Sequence, residues 1–319
     1  MKGFGEMLRG GTIRADILLI YLLVAAASLC AFPGRAFAQR DYLISPKGSQ
    51  SATISEQIVR GNTNVDDSQF ITGSHIDQNV TVLQYSRAVA VANHRAGVLV
   101  VVPIGEVTGK IDTVAGKLRQ SSSGVGDVQM GMTFALAGPP PMSPAEYVAW
   151  KPGFAATFAG TVTAPTGEYK STKLFNLGGN RWTFAAGVAM VQYIGKSLID
   201  PYLMTIELKP NVTFFTRNPS PLGGAYKTQA PLVSIEGHVT KGIGKGLWIS
   251  ADGYYKFGGR TRTNGVEDDN RQSAFRLGAS FNFTIVPSVT AKLLYISNAW
   301  TTSNNSVERS LRIAVAKSF

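Results

Sequence analysis

Long stretches of the chain alternate apolar and polar residues with a period of two, which is the pattern of a β-strand with one apolar and one polar face. In residues 275–285, Phe281 and Phe283 lie on one face, and Ser280 and Asn282 lie on the other. Amphipathic helical periodicity is hard to find. The pattern predicts an all-β protein. The same alternation recurs in residues 128–136, 154–164, 206–214 and 247–257.

The length and polarity of these segments favour a transmembrane barrel over a soluble sandwich. Strands of soluble proteins usually have about five or six residues, whereas a strand needs about 9–11 residues to cross a bilayer. The segments here are longer than the strands of soluble proteins. Their polar faces carry mostly Thr, Ser, Asn and Gly, which suit a water-filled lumen. We therefore predict a single antiparallel, up-and-down transmembrane β-barrel of about twelve strands.

The connections between strands alternate in length. Short turns such as Ala92-Asn93 alternate with longer polar loops such as 105–124 and 165–180. The link 138–151 is longer than the other short ones, and the pattern gives no reason for it. Outer-membrane barrels have short periplasmic turns and long outer loops, so both termini are expected in the periplasm. The predicted strands are 52–60, 80–91, 94–104, 125–137, 152–164, 181–194, 202–216, 230–241, 246–258, 271–285, 288–297 and 307–319.

The N-terminal segment has the features of a secretory signal. Basic residues precede the apolar run 17–32, and the small residues of Ala36-Phe37-Ala38 follow it. We expect cleavage after Ala38, which divides the chain into a signal peptide (1–38) and an outer-membrane barrel (39–319). An uncleaved helical anchor is the alternative reading of the same run.

Composition excludes several other classes of protein. Charged residues make up only 16% of the chain while hydrophobic ones make up 44%, which argues against disorder. Cys30 is the single cysteine, so a disulfide scaffold is excluded. The net charge of +11 is not concentrated in basic clusters, so we expect no nucleic-acid partner.

Motifs that could carry catalysis fail on inspection. Gly195-Lys196-Ser197 lacks the upstream glycine of a phosphate-binding loop. The three histidines, His75, His94 and His238, have no metal-ligand spacing, and no serine-nucleophile elbow is present. We expect no catalytic, cofactor-binding or metal site, and no enzymatic activity; an outer-membrane lipase is disfavoured because no Ser/His constellation exists.

Charged residues on the polar faces are candidates for the lumen. Arg or Lys at the lipid-facing midplane costs about 2–4 kcal/mol, which favours placing them inside. With the borderline Arg87 included, basic residues exceed acidic ones slightly, and rings of basic residues favour anions. The alternative is that the charges pair across the lumen, as Glu207 and Lys209 could along one strand, and give no selectivity. The candidate lumen-facing residues are Asp127, Glu207, Lys209, Glu236, His238, Asp252, Lys256, Arg276, Lys292 and Arg312.

Six short motifs occur in order along the chain. They are Arg40-Asp41-Tyr42, Ser123-Gly124-Val125-Gly126-Asp127, Pro165-Thr166-Gly167-Glu168-Tyr169, Leu177-Gly178-Gly179-Asn180-Arg181-Trp182, Tyr254-Tyr255 with Gly258-Gly259, and Asn264-Gly265. With these motifs the chain resembles the outer-membrane, transporter-like barrels named for the phenol meta-cleavage pathway, and the resemblance implies the same fold over nearly the whole mature chain. A terminal Phe319 after alternating apolar residues also resembles the signal that the outer-membrane assembly machinery reads.

Two functions are consistent with this sequence. The leading hypothesis is a passive outer-membrane channel for small solutes, with aromatic or hydrophobic molecules among the candidates. The alternative is a structural or adhesive barrel whose lumen is plugged and whose outer loops bind a partner. The expected partners are outer-membrane lipid, the assembly machinery through Phe319, and a solute that the sequence does not identify.

Overall fold

A computed structural model describes residues 44–66, 68–113, 116–301 and 305–319. The predicted signal peptide with its cleavage after Ala38, and the Arg40-Asp41-Tyr42 motif, lie outside the described residues. Within them the chain is almost entirely β-structure. The strands are β1 (Gln50–Gly61), β2 (Ser74–Val91), β3 (His94–Thr113), β4 (Gly116–Val125), β5 (Gln129–Ala137), β6 (Phe154–Thr163), β7 (Thr183–Ile194), β8 (Met204–Phe215), β9 (Lys227–Gln229), β10 (Leu232–Gly244), β11 (Leu247–Gly258), β12 (Thr261–Thr263), β13 (Val266–Glu267), β14 (Gln272–Val286), β15 (Val289–Thr301) and β16 (Glu308–Ser318), and helix α1 is Pro144–Ala149.

Twelve strands close into an antiparallel barrel, which confirms the predicted fold class. Neighbours in sequence pair around the sheet, and β1 lies between β2 and β16, so that the first and last strands close the ring. Each of the twelve predicted segments overlaps one of these strands, although β2 and β3 are longer than predicted. In order around the barrel they are β1, β2, β3, β5, β6, β7, β8, β10, β11, β14, β15 and β16.

The barrel has a short-turn end and a long-loop end, named for their connections. At the short-turn end the β2–β3 turn is only Ala92-Asn93, and both residues have the positive φ that a two-residue hairpin turn requires. The longer connections meet at the opposite end, where β9, β12 and β13 form a small separate sheet. The described N-terminal segment and Phe319 are at the short-turn end, where the backbones of Gln50 and Phe319 hydrogen-bond to each other.

The prediction of a loop at 105–124 is wrong. Strand β3 continues to Thr113. Strand β4 turns back and pairs with residues 104–113 of β3, while β5 pairs with residues 96–101. The alternation continues in this hairpin, because Val107 and Ile111 lie on one face and pack around Phe175 from a later loop. The many Ser, Gly and Lys residues of the segment concealed that periodicity.

The unexplained link 138–151 contains helix α1, which begins with a capping box. The Ser143 hydroxyl accepts a hydrogen bond from the Glu146 backbone N–H, and the Glu146 carboxylate accepts one from the Ser143 N–H at 2.7 Å. The helix buries Tyr147 in an apolar cluster at the short-turn end. This short-turn cluster comprises Ile44, Met142, Tyr147, Ala155, Val191, Tyr193, Leu198 and Leu203.

The two faces of the barrel differ sharply in character. Large apolar side chains such as Leu208, Phe281 and Ile313 are exposed on the outer face, where lipid would contact them. The polar residues that alternate with these apolar ones along each strand, such as Glu207 and Asn282, are buried on the inner face. In the part of the chain that the structure describes, no helix has the length and apolar character to cross a membrane.

Candidate functional site: the barrel interior

A row of three ionisable residues crosses the inner face of β8, β10 and β11. The strand register places His238 opposite Glu207 on one side and opposite Asp252 on the other. The Nδ1 atom of His238 lies 2.7 Å from Oδ1 of Asp252. The alternation of each strand sends all three side chains inward, so the register alone brings them together.

Asp252 lies at the β11 end of this row and is buried among hydrogen-bonding side chains. Besides His238, the hydroxyl of Ser250 donates to its Oδ1 at 2.9 Å, and the hydroxyl of Ser280 donates to its Oδ2 at 2.8 Å. Glu207 in turn accepts a hydrogen bond from Thr205 at 2.7 Å. A buried carboxylate is tolerated when such partners satisfy it, and the network fills this half of the interior.

Two further ion pairs join neighbouring parts of the same wall. Lys209 Nζ lies 3.6 Å from Glu236 Oε1, across the β8–β10 pair. The Arg276 and Glu308 side chains meet at 2.9 Å over the intervening β15, and both are buried. Many of the charged residues predicted to face the lumen are therefore paired with an oppositely charged residue on another strand. Such pairing is the alternative that the sequence analysis left open.

The remaining candidates occupy different surroundings. Arg312 donates to the Ser55 hydroxyl at 3.2 Å on the inner face, and Lys292 is buried there. Lys256 borders a cavity described below. Asp127 lies between β4 and β5 and accepts hydrogen bonds from the backbone N–H groups of Gly167 and Gly179 at 2.8 and 2.7 Å. It thereby holds the β6–β7 loop against the barrel.

Loops that fold inward cover the long-loop end, and Arg181 is their main anchor. Its guanidinium donates to the Ser68 hydroxyl at 2.9 Å, lies 3.9 Å from the Asp66 carboxylate and stacks on the Phe215 ring at 4.3 Å. Burial lowers the pKa of Arg181, and the nearby carboxylates oppose that effect. The sequence marked Arg181 only as part of a family motif; its partners come from a loop more than a hundred positions away and have no local signal.

The covering loop between β1 and β2 is also held through its backbone. The Ser68 carbonyl accepts hydrogen bonds from the side-chain amides of Gln229 and Gln272, both at 2.7 Å. Gln229 and Gln272 are themselves buried. Asp66, on the same loop, therefore reaches the edge of the space beneath the loops.

The opposite wall of the interior is built from small residues and leaves space unfilled. A cavity of about 330 Å³ lies between Ala159, Thr161 and Ala185 on that wall and Lys209 and Lys256 on the charged one. A second cavity, of about 140 Å³, lies nearer the short-turn end. Its lining includes Gly97, Thr133 and Thr157 together with the basic side chains of Lys47, Arg87 and Arg95.

These features define a transmembrane β-barrel of the outer-membrane type whose interior contains two cavities. The chain belongs to the family described as "Putative MetA-pathway of phenol degradation", whose model matches residues 57–308. A comparison with curated proteins finds no match.

Solved structures with a similar fold are outer-membrane barrels. An outer membrane channel from Pseudomonas putida F1 superposes with a TM-score of 0.72 at 17% identity, over 89% of this chain and 100% of that one. The transport unit of the autotransporter AIDA-I from Escherichia coli gives 0.47 at 12% identity, over 94% and 97%. The monoaromatic hydrocarbon channel CymD gives 0.38 at 10% identity, over 91% and 94%. At 17% identity, the first of these similarities shows a shared fold.

Proposed function

We propose that this protein is a passive outer-membrane channel for small solutes. The observation that carries the proposal is the contrast between two groups of strands on the inner face. Charged, hydrogen-bonded side chains cluster on β8, β10, β11 and β14, while β5, β6 and β7 present mainly Gly, Ala and Thr, and two cavities lie against that wall. A barrel whose purpose was only structural would gain stability from filling that space.

The same proposal assigns an orientation. Outer-membrane barrels expose their long loops to the exterior and keep short turns in the periplasm, so the long-loop end faces outward and both ends of the barrel domain face the periplasm. The fold shared with an outer membrane channel from Pseudomonas putida F1 supports the outer-membrane location. Contact with membrane lipid follows from the exposed apolar outer face.

The size and lining of the space indicate the kind of solute. The larger cavity, of about 330 Å³, combines a wall of Ala and Thr with charged side chains of both signs, Lys209, Lys256, Glu236 and Asp66. A small molecule with an apolar body and a polar group fits both walls. Aromatic compounds with such groups are the first to test, since the family is named for phenol degradation.

A second candidate is the closed barrel that binds a partner through its loops. It is favoured by the covering of both ends, with the Arg181-anchored loops at one and the short-turn cluster at the other. The two functions differ in whether solutes and ions cross.

Planar-bilayer recording of the purified protein separates these two functions. We expect discrete conductance steps above the bare-membrane baseline, together with swelling of proteoliposomes in small solutes. Protein that inserts as a folded barrel, judged by its heat-modifiable mobility on gels, but never conducts would overturn the channel and leave the closed barrel.

A further inference from the structure

The two interior cavities follow one another along a single strand. On β6, Thr157 borders the smaller cavity, and Ala159 and Thr161, the next two inward positions, border the larger one. Strand β5 repeats the order, with Thr133 at the smaller cavity and Gln129 at the larger. The inward position between them on β5 is Gly131.

Leu99 lies over Gly131, at the level between the two cavities. A methyl group placed on Gly131 would lie only 2.8 Å from the Cγ atom of Leu99, so the leucine side chain rests directly on the glycine backbone. Leu99 and Gly131 are also register partners in the β3–β5 pair. The glycine is what makes room for the leucine, because any larger residue there would collide with it.

Leu99 differs from its surroundings on this wall. The residues before and after it, Val98 and Val100, point outward and are 50% and 42% exposed. Leu99 points inward, lines the smaller cavity and has Ser86 and Gly131 as its register partners, so it is a large apolar side chain beside small residues. An apolar residue at a narrow point of a pore limits passage by its size and by its poor hydration of ions.

We propose that the two cavities form one conduit and that Leu99 is its constriction, which sets the size limit for solutes. The inference rests on the proposed channel function. The conduit runs along the wall of β3, β5 and β6 and passes the Lys209–Glu236 pair in the larger cavity, and solutes have to pass the Leu99 side chain. Leu99 is thus a specificity-determining residue.

Leu99→Ala should raise the single-channel conductance about twofold or more, because the narrowest section dominates the resistance of a pore. The larger size limit should also appear as faster proteoliposome swelling with bulky sugars. Val100→Ala is the matched control, since it removes a similar side chain from the adjacent, outward position and should leave both values unchanged. If the wild-type protein conducts and Leu99→Ala has the same conductance and size limit, Leu99 is not the constriction, while the channel function still stands. A silent wild-type protein would overturn both.

Cysteine variants test the position without enlarging the pore. In a Cys30→Ser background, Leu99→Cys should lose most of its conductance when a water-soluble methanethiosulfonate reagent is added, whereas Val100→Cys should not respond. Thiol reducing agent should restore the current. A conducting Leu99→Cys channel that the reagent does not alter, in protein shown by mass to be modified, would place the conduit elsewhere.

Discussion

At the scale of single residues, the buried pair of Arg276 and Glu308 shows what the inner face requires. Its two charges meet at 2.9 Å with almost no exposure to solvent. Removing one partner of a buried pair leaves the other charge poorly compensated and typically costs about 3–5 kcal/mol, whereas replacing both can be nearly neutral. The pair therefore matters more for assembly of the wall than for the ions that pass.

Arg276→Gln should lower the free energy of unfolding by about 3 kcal/mol, and Arg276→Gln combined with Glu308→Gln should recover much of that loss. Urea titration of the protein in lipid vesicles, followed by tryptophan fluorescence, measures both values. Glu308→Gln alone completes the cycle. Additive losses in the double variant would show that the two side chains contribute independently.

At the scale of elements, helix α1 closes part of the short-turn end through one aromatic side chain. Tyr147 is 6% exposed and packs in the short-turn cluster, while Val148, the next residue in the helix, is 45% exposed. Deletion of a large buried side chain typically costs about 3–5 kcal/mol, with the smaller part of that range expected for a short surface helix.

Tyr147→Ala should accordingly reduce stability by about 3 kcal/mol, and Val148→Ala should change it by less than about 0.5 kcal/mol. The urea midpoint of each variant measures the difference. Equal, small effects for both variants would show that the helix is not docked on the barrel in the membrane.

Element by element, the sequence predicts the barrel strands because each has to keep one face apolar over its whole length. Both β1 and β3 are found despite imperfect alternation. The β4 hairpin and α1 are missed for physical reasons: the hairpin rests on Phe175 from a distant loop, and α1 is shorter than two turns, so neither gives a long periodic signal. The Ser143–Glu146 capping box is the one local clue to α1.

The site is predictable only in part for a related reason. Alternation assigns Glu207, His238 and Asp252 to one kind of face, but only the register between strands shows that they form a row. The loop contacts of Arg181 and Asp127 depend on chain segments that are far apart in sequence. The recognition of Phe319, which is exposed at the end of the closing strand, by the assembly machinery stays a prediction.

At the scale of the whole molecule, the cavity linings bear on ion preference. Among the described residues that border the two cavities, five are basic and two, Asp66 and Glu236, are acidic. An excess of basic groups along a pore favours anions. Because Arg276 is buried against Glu308 and borders neither cavity, the basic groups that border the cavities are better placed to act on passing ions. They are Lys47, Arg87, Arg95, Lys209 and Lys256.

We therefore expect the reversal potential across a salt gradient to have the sign that indicates anion selectivity, and Lys256→Gln should move the potential toward zero. Lys241→Gln is the matched control, because Lys241 is exposed and its ammonium contacts the Tyr202 carbonyl instead of a cavity. A wild-type reversal potential whose sign indicates cation selectivity would contradict the inference that the basic residues beside the cavities favour anions.

The orientation of the whole barrel gives the last prediction. The β12–β13 turn at Asn264-Gly265 belongs to the long-loop end, and the β10–β11 turn at Lys245-Gly246 belongs to the short-turn end. Exposed turn tips tolerate insertions, so an epitope tag fits at either place. If long loops face the exterior, antibody should label intact cells that carry the tag between Asn264 and Gly265, and should label the other variant only after the outer membrane is permeabilised. Equal labelling of both variants after permeabilisation controls for expression. Labelling of intact cells through the Lys245-Gly246 tag alone would reverse the orientation, and with it the direction in which solutes enter the channel.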